Sequence, residues 1–266
     1  MTRTDPNFIR AKKSLGQNFC VDERIPTEIV KRLAATKEHC IWEIGPGKGA
    51  LTSLLRQSGA DLHLFEIDQR MQPILEKDFP EARITWGDFL ELKELPIPDK
   101  PLLVTGNLPY YCGTPIIRRF LECGPETEKL VFLLQHEVAA KACATINSRD
   151  YGYLSVQIAF FADAELGSTF GPGSFSPPPK VNSSILEIRP FKLSDCERQR
   201  RILLLRPVSM LFAQRRKMAL PLLKKMFKQT DWAQRFAELG IEEKARPENI
   251  SPQQFMQLFS TAEIIE

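Results

Sequence analysis

The sequence predicts an α/β chain: a mostly parallel, seven-stranded sheet carrying a small C-terminal α-helical domain. Two observations lead there. Between about Cys40 and Gln135, short apolar runs alternate with helix-periodic stretches. Beyond about Leu193 the strand signals vanish and the pattern turns helical. The runs at 40–44, 61–67, 83–86, 102–107 and 130–135 read as strands, being short, apolar and bounded by turn residues. Between them, segments such as 50–57 and 114–121 repeat apolar residues at the helical period. Strand and helix alternating at this spacing imply parallel pairing, with helices on both faces. Residues 164–170 and 184–190 read as a closing pair of strands, joined by the Gly/Pro-rich loop 171–179. A boundary near 191–196 divides the chain into domains at 1–193 and 194–266.

With 266 residues, 43% hydrophobic and 26% charged, the chain can bury one substantial core plus a smaller appendage. No apolar stretch approaches the length of a membrane helix, and the basic segment 1–13 lacks the apolar region of a secretory signal. Cys20, Cys40, Cys112, Cys123, Cys143 and Cys196 are scattered without C-x-x-C spacing, and the three histidines do not cluster with them. Neither a metal centre nor a disulfide framework is expected, and a cytoplasmic location is. The net charge of +3 conceals an asymmetry: residues 197–228 hold ten Lys or Arg against Glu197 alone. That block is +9 and the remainder −6, which points to a polyanionic partner, above all nucleic acid.

The most informative segment is Asn107-Leu108-Pro109-Tyr110, at the end of the apolar run that begins at Pro101. The Asn107 side-chain oxygen and the Leu108 carbonyl, whose direction Pro109 fixes, are two acceptors for the two N–H bonds of an amino group on a planar ring. Tyr110 offers that ring a face to stack on. An exocyclic amine on adenine is a poor nucleophile because its lone pair is delocalised; two acceptors off the ring plane favour a tetrahedral nitrogen and free the pair for attack. Upstream, Gly45-Pro46-Gly47-Lys48-Gly49-Ala50 follows the first strand and fits G-x-G-x-x-A. Glu66 stands where the ribose-binding acid of that fingerprint belongs, and Asp88 follows the third strand, able to accept from an adenine amine. These positions fit nicotinamide dinucleotides and other adenosine-containing cofactors alike.

Together these residues resemble a class I (Rossmann-like) S-adenosylmethionine-dependent methyltransferase, and more narrowly the ribosomal RNA adenine N6-dimethyltransferase family. The likeness runs through Lys13-Ser14-Leu15-Gly16-Gln17-Asn18-Phe19, Glu66-Ile67-Asp68 and Gly106-Asn107-Leu108-Pro109-Tyr110. It continues through Phe175-Ser176-Pro177-Pro178-Pro179-Lys180-Val181, a Gln214-Arg215-Arg216-Lys217 helix and Arg246-Pro247-Glu248-Asn249. The resemblance implies that Asn18, Cys20, Gly45, Glu66, Asp88 and Asn107 line the site for S-adenosyl-L-methionine. Glu66 would take the ribose hydroxyls, Asp88 the adenine amine, and Phe89 would pack on the adenine. Asn107, Leu108, Pro109 and Tyr110 would hold the target base, with Phe175 on its other face, and Arg215, Arg216 and Lys217 would grip RNA. It further implies a monomer without a metal, acting on 16S rRNA in the 30S subunit and contributing to ribosome biogenesis, with no membrane contact.

The chain departs from the family pattern in three places: Cys20 for Leu, Tyr111-Cys112 for Asn-Ile, and Asn182 for Asp. A resistance-type dimethyltransferase of large-subunit rRNA shares the catalytic segments but usually lacks the Pro-Pro-Lys-Val loop and the Gln-Arg-Arg-Lys segment. A nicotinamide oxidoreductase accounts for Gly45–Ala50 and Glu66 but not for Asn107–Tyr110 or the basic block. A non-catalytic RNA-binding assembly factor would not need Asn107 and Tyr110.

Overall fold

The computed structural model describes residues 9–12, 15–109 and 111–260; Lys13, Ser14 and Tyr110 lie outside the described residues. Its strands, in chain order, are β1 (Phe19–Cys20), β2 (Cys40–Ile44), β3 (Asp61–Glu66), β4 (Arg83–Trp86) and β5 (Leu102–Asn107). They continue with β6 (Thr127–Gln135), β7 (Ala162–Phe170), β8 (Phe175–Ser176) and β9 (Ser183–Pro190). Seven of them form one sheet in the order β4-β3-β2-β5-β6-β9-β7. β4 through β6 pair in parallel, and β9 runs antiparallel to β6. The expected mostly parallel α/β sheet is therefore present.

Burial explains the pattern. In β2 and β5 almost every residue is buried, as is the run 130–134 of β6, because helices cover both faces of a central strand. Sheet order reverses between β2 and β5, and at such a switch point the connections leave to opposite faces and open a crevice beyond the carboxyl ends. Edge strand β7 (ADAELGSTF) is largely exposed and correspondingly polar. The helical segment expected at 50–57 is shorter: α-helix holds only over Thr52–Leu55, and Arg56–Ser58 tightens to a 3-10 turn ended by Gly59 at φ 72°.

Two compact units divide the chain: 1–139 with 165–190, and 140–164 with 191–266. The helices, in chain order, are α1 (Arg24–Leu33), α2 (Thr52–Leu55), α3 (Gln72–Asp78), α4 (Gly113–Cys123), α5 (His136–Ala142) and α6 (Tyr153–Phe161), then α7 (Asp195–Phe212), α8 (Ala219–Met226), α9 (Trp232–Glu238) and α10 (Pro252–Leu258). The second unit takes residues 140–164 beyond the C-terminal helices. Its helix α6 is apolar nearly all round, as a helix enclosed by others must be. Side chains bonded to backbone carbonyls close the unit: Tyr151 Oη donates to the Ile250 carbonyl at 2.8 Å, and Arg201 donates to the Phe160 carbonyl.

Candidate active site

Two strand ends approach so closely in the first unit that only glycine fits between them. A Cβ on Gly106 in β5 would enter the carbonyl oxygen of Ile44 at the end of β2. Beyond Ile44 the chain turns through Gly45 at φ 72°, where a Cβ would meet nothing within 4 Å. A left-handed glycine facing open space leaves the backbone bare toward whatever lies in the crevice.

Glu66, at the end of β3 and 2% exposed, receives the N–H of Gly47 at 2.9 Å and that of Asp68 at 2.8 Å, one on each carboxylate oxygen. These bonds orient the carboxyl group, while its burial pushes the pKa upward. Asp68 ties this turn to the N-terminal arm: it accepts from Gln17 Nε2 at 2.8 Å and from the Arg70 guanidinium, which holds it down at about 2. Asp88 opens the turn after β4 and accepts the N–H of Leu90 at 2.8 Å; its remaining lone pairs suit an outside donor. Arg119 of α4 donates to the Phe89 and Leu92 carbonyls and lies 5.3 Å from the Phe89 ring centroid, which pins that turn.

Asn107 ends β5. Its Nδ2 donates to the Asn18 carbonyl at 3.1 Å, which orients the side-chain amide and leaves its oxygen as an acceptor for a ligand. The Leu108 N–H donates to the Leu133 carbonyl at 3.1 Å, fixing the backbone there. Strand β1 pairs antiparallel with β8, setting Cys20 opposite Phe175. Val21 N–H donates to the Ser174 carbonyl at 2.9 Å, and Ser174 Oγ donates to Asp22 at 2.9 Å. The arm and the loop after β7 are thereby clasped. The Cys20 thiol donates to the Asp22 carbonyl at 3.2 Å, and burial pushes its pKa up, so it is a contact surface rather than a nucleophile.

Among these groups lies a cavity of about 330 Å³, within the range of small-molecule sites. Asn18, Cys20, Gly45, Glu66, Asp88 and Asn107 line it, as do Leu108, Pro109 and Phe175. Phe175 is 4% exposed and also packs in the core beside Ile25 and Phe170. Tyr110, expected to face the target ring, is outside the described residues. Arg215, Arg216 and Lys217 belong to the second unit and do not line the cavity. They sit in the turn after α7 rather than on a helix, a correction to the expected Gln214–Lys217 helix. Arg215 is held there by Glu248 and by the Arg149 carbonyl, bonds that a continued α7 would not direct to the same partners. No group of three His, Cys, Asp or Glu among the described residues has metal-binding geometry, and no described helix is long and apolar enough to cross a membrane.

Sequence reasoning missed Glu43, Arg119 and the Gln17–Asp68–Arg70 network. Glu43 lines the cavity, is 1% exposed, accepts from Thr52 Oγ1 at 2.6 Å, and is pushed up to about 8 by burial and then by Glu66. An acid inside the apolar run Cys-Ile-Trp-Glu-Ile was the available signal. Arg119 and Gln17 act through contacts distant in sequence and gave none.

The family model described as ribosomal RNA adenine dimethylase matches residues 9–263. A ribosomal RNA small subunit methyltransferase A from Pseudomonas aeruginosa is 36% identical over 94% of this chain and 93% of that protein. Its namesake from Pseudomonas putida is 34% identical over 94% of each. Among solved structures, a dimethyladenosine transferase from Plasmodium falciparum shares the fold with a TM-score of 0.75 at 22% identity, covering 91% of this chain and 96% of that one. The 23S rRNA methyltransferase ErmE does so at 0.72 and 23%, covering 91% and 98%. Relatives that align along nearly the whole chain, and a family match spanning both units, mean that this chain belongs to the ribosomal RNA adenine dimethylase family.

Proposed function

We propose that the chain dimethylates N6 of two adjacent adenosines in the 3′-terminal hairpin loop of 16S rRNA within the 30S subunit, as a cytoplasmic monomer contributing to ribosome biogenesis. The observation that carries this reading is the anchoring of Asn107. With its amide oriented by the bond to the Asn18 carbonyl, its oxygen would pair with the Leu108 carbonyl as the two acceptors a target amine requires, Leu108 lining the same cavity. The names of the full-length relatives support the substrate class.

The residues present suit S-adenosyl-L-methionine. The oriented Glu66 carboxylate matches vicinal ribose hydroxyls, Asp88 an adenine amine, and the open space at Gly45 the methionine portion. When bound, that cofactor supplies an electrophilic methyl group on a sulfonium. The chain's own task is positioning. Asn107 and Leu108 accept the two N–H bonds of the amine and localise the nitrogen lone pair, and Phe175 offers the base an aromatic wall. The proton released afterwards passes to water or a nearby oxygen, so no strong base is needed. A base in a loop is the cheapest to turn into such a cavity. Phosphate contacts fall to the basic block of the C-terminal domain.

Incubating the protein with labelled S-adenosylmethionine and unmethylated 30S and 50S particles, followed by nucleoside analysis, tests the proposal. N6,N6-dimethyladenosine in 30S RNA alone is expected; label confined to 50S RNA would overturn the substrate assignment. Asn107→Ala should keep binding S-adenosylhomocysteine while methyl transfer falls about a hundredfold, the scale for losing one positioned polar group.

A further inference from the structure

The Tyr111 ring is the one exposed aromatic side chain among the described residues, and it lines the mouth of the same cavity at 60% exposure. Every other described aromatic is buried or half-buried. An aromatic face left open to water beside a binding cavity is available for a planar ligand group to stack on. Its backbone is fixed, since the Cys112 N–H donates to the Pro109 carbonyl at 3.1 Å and closes a turn that throws residue 111 outward. The glycine turn of the N-terminal arm passes beside it: a Cβ on Gly16, at φ 61°, would stand 3.6 Å from Tyr111 Cε1 and 3.3 Å from the Pro109 Cβ. The bare glycine leaves room for the ring at the rim, immediately beyond the residues that would hold the target base.

We propose that Tyr111 is a stacking platform for the nucleobase next to the target adenosine, a second base-binding position at the mouth of the methylation cavity. The inference rests on the function proposed above. Turning one base into the cavity unstacks its neighbour, and that neighbour needs a new aromatic surface. An exposed ring on a turn closed by a backbone hydrogen bond provides it without base-specific hydrogen bonds. Substrate positioning then depends on Tyr111, whereas the cofactor groups at Glu66 and Asp88 do not.

The test compares the wild type with Tyr111→Ala, Tyr111→Leu and Tyr111→Phe, measuring KM for unmethylated 30S particles and, separately, the affinity for S-adenosylhomocysteine. The expected result is a KM about tenfold higher for the alanine and leucine variants, the scale of one lost base–aromatic stack. The phenylalanine variant should stay within about twofold of wild type on the same stacking argument, and cofactor affinity should be unchanged in all three. Wild-type KM in the alanine and leucine variants would overturn the inference. So would a matching loss of cofactor affinity, which would make the ring a cofactor lid, or a phenylalanine variant as impaired as alanine, which would make the hydroxyl the contact. Absence of dimethyladenosine from the wild-type reaction would overturn the proposed function itself, and this inference with it.

Discussion

His63 illustrates how strongly one residue's surroundings set its chemistry. It is 5% exposed in β3, with Nε2 2.8 Å from Thr85 Oγ1 and its ring stacked 4.2 Å from Phe65. Burial, with Arg83 nearby, holds the imidazole neutral down to about 4, against an ordinary 6.5. Its folded pKa is lowered, so the unfolded chain takes up the proton first, and the stabilisation is complete above 6.5 and lost as pH falls toward 4. Across that window the wild type should lose on the order of 2 kcal/mol more than His63→Gln, read from urea midpoints. Parallel pH profiles would show that His63 is not the group responsible. The residues legible in the sequence were those whose chemistry is tied to a strand end, namely Glu66, Asp88 and Asn107. Arg119 was not legible, because its role arises only when α4 lays it against the turn at Phe89, thirty residues away.

At the scale of elements, the tightest constraint is the β2–β5 contact at Gly106. Gly106→Ala would drive a methyl into a carbonyl rather than into a yielding side chain. A loss of about 2 kcal/mol in urea denaturation is expected, with weaker S-adenosylhomocysteine binding because Ile44 leads into the Gly45 turn. An unchanged midpoint would mean that the strands part freely there. The central strands were readable because burial on both faces makes each a continuous apolar run. The β1–β8 clasp was not, since a two-residue ladder has no period to detect. Helix α1 differs again: Ile25, Ile29 and Leu33 recur at four-residue spacing, so its pattern was open to reading.

For the whole molecule, the sequence reveals its charge asymmetry but not how that charge is committed. Reversing Arg216 and Lys217, both exposed, to glutamate should weaken RNA binding about tenfold or more at low salt while leaving S-adenosylhomocysteine affinity intact. Unchanged RNA binding would remove the turn after α7 from the RNA surface. Arg215→Glu is a different experiment, because it sets a like charge against Glu248 and disturbs the second unit itself. The grouping of 140–164 with the C-terminal helices follows from long-range contacts of α6 that no local pattern announces. Part of the basic block is already paired, Arg215 with Glu248, and Arg200 and Arg201 with Glu197. A cation already neutralised by a neighbouring carboxylate displaces few condensed counterions from a polynucleotide. The dependence of log affinity on log salt will therefore be shallower than ten basic residues in 197–228 imply, and the number of ions released will report how much of that block faces RNA.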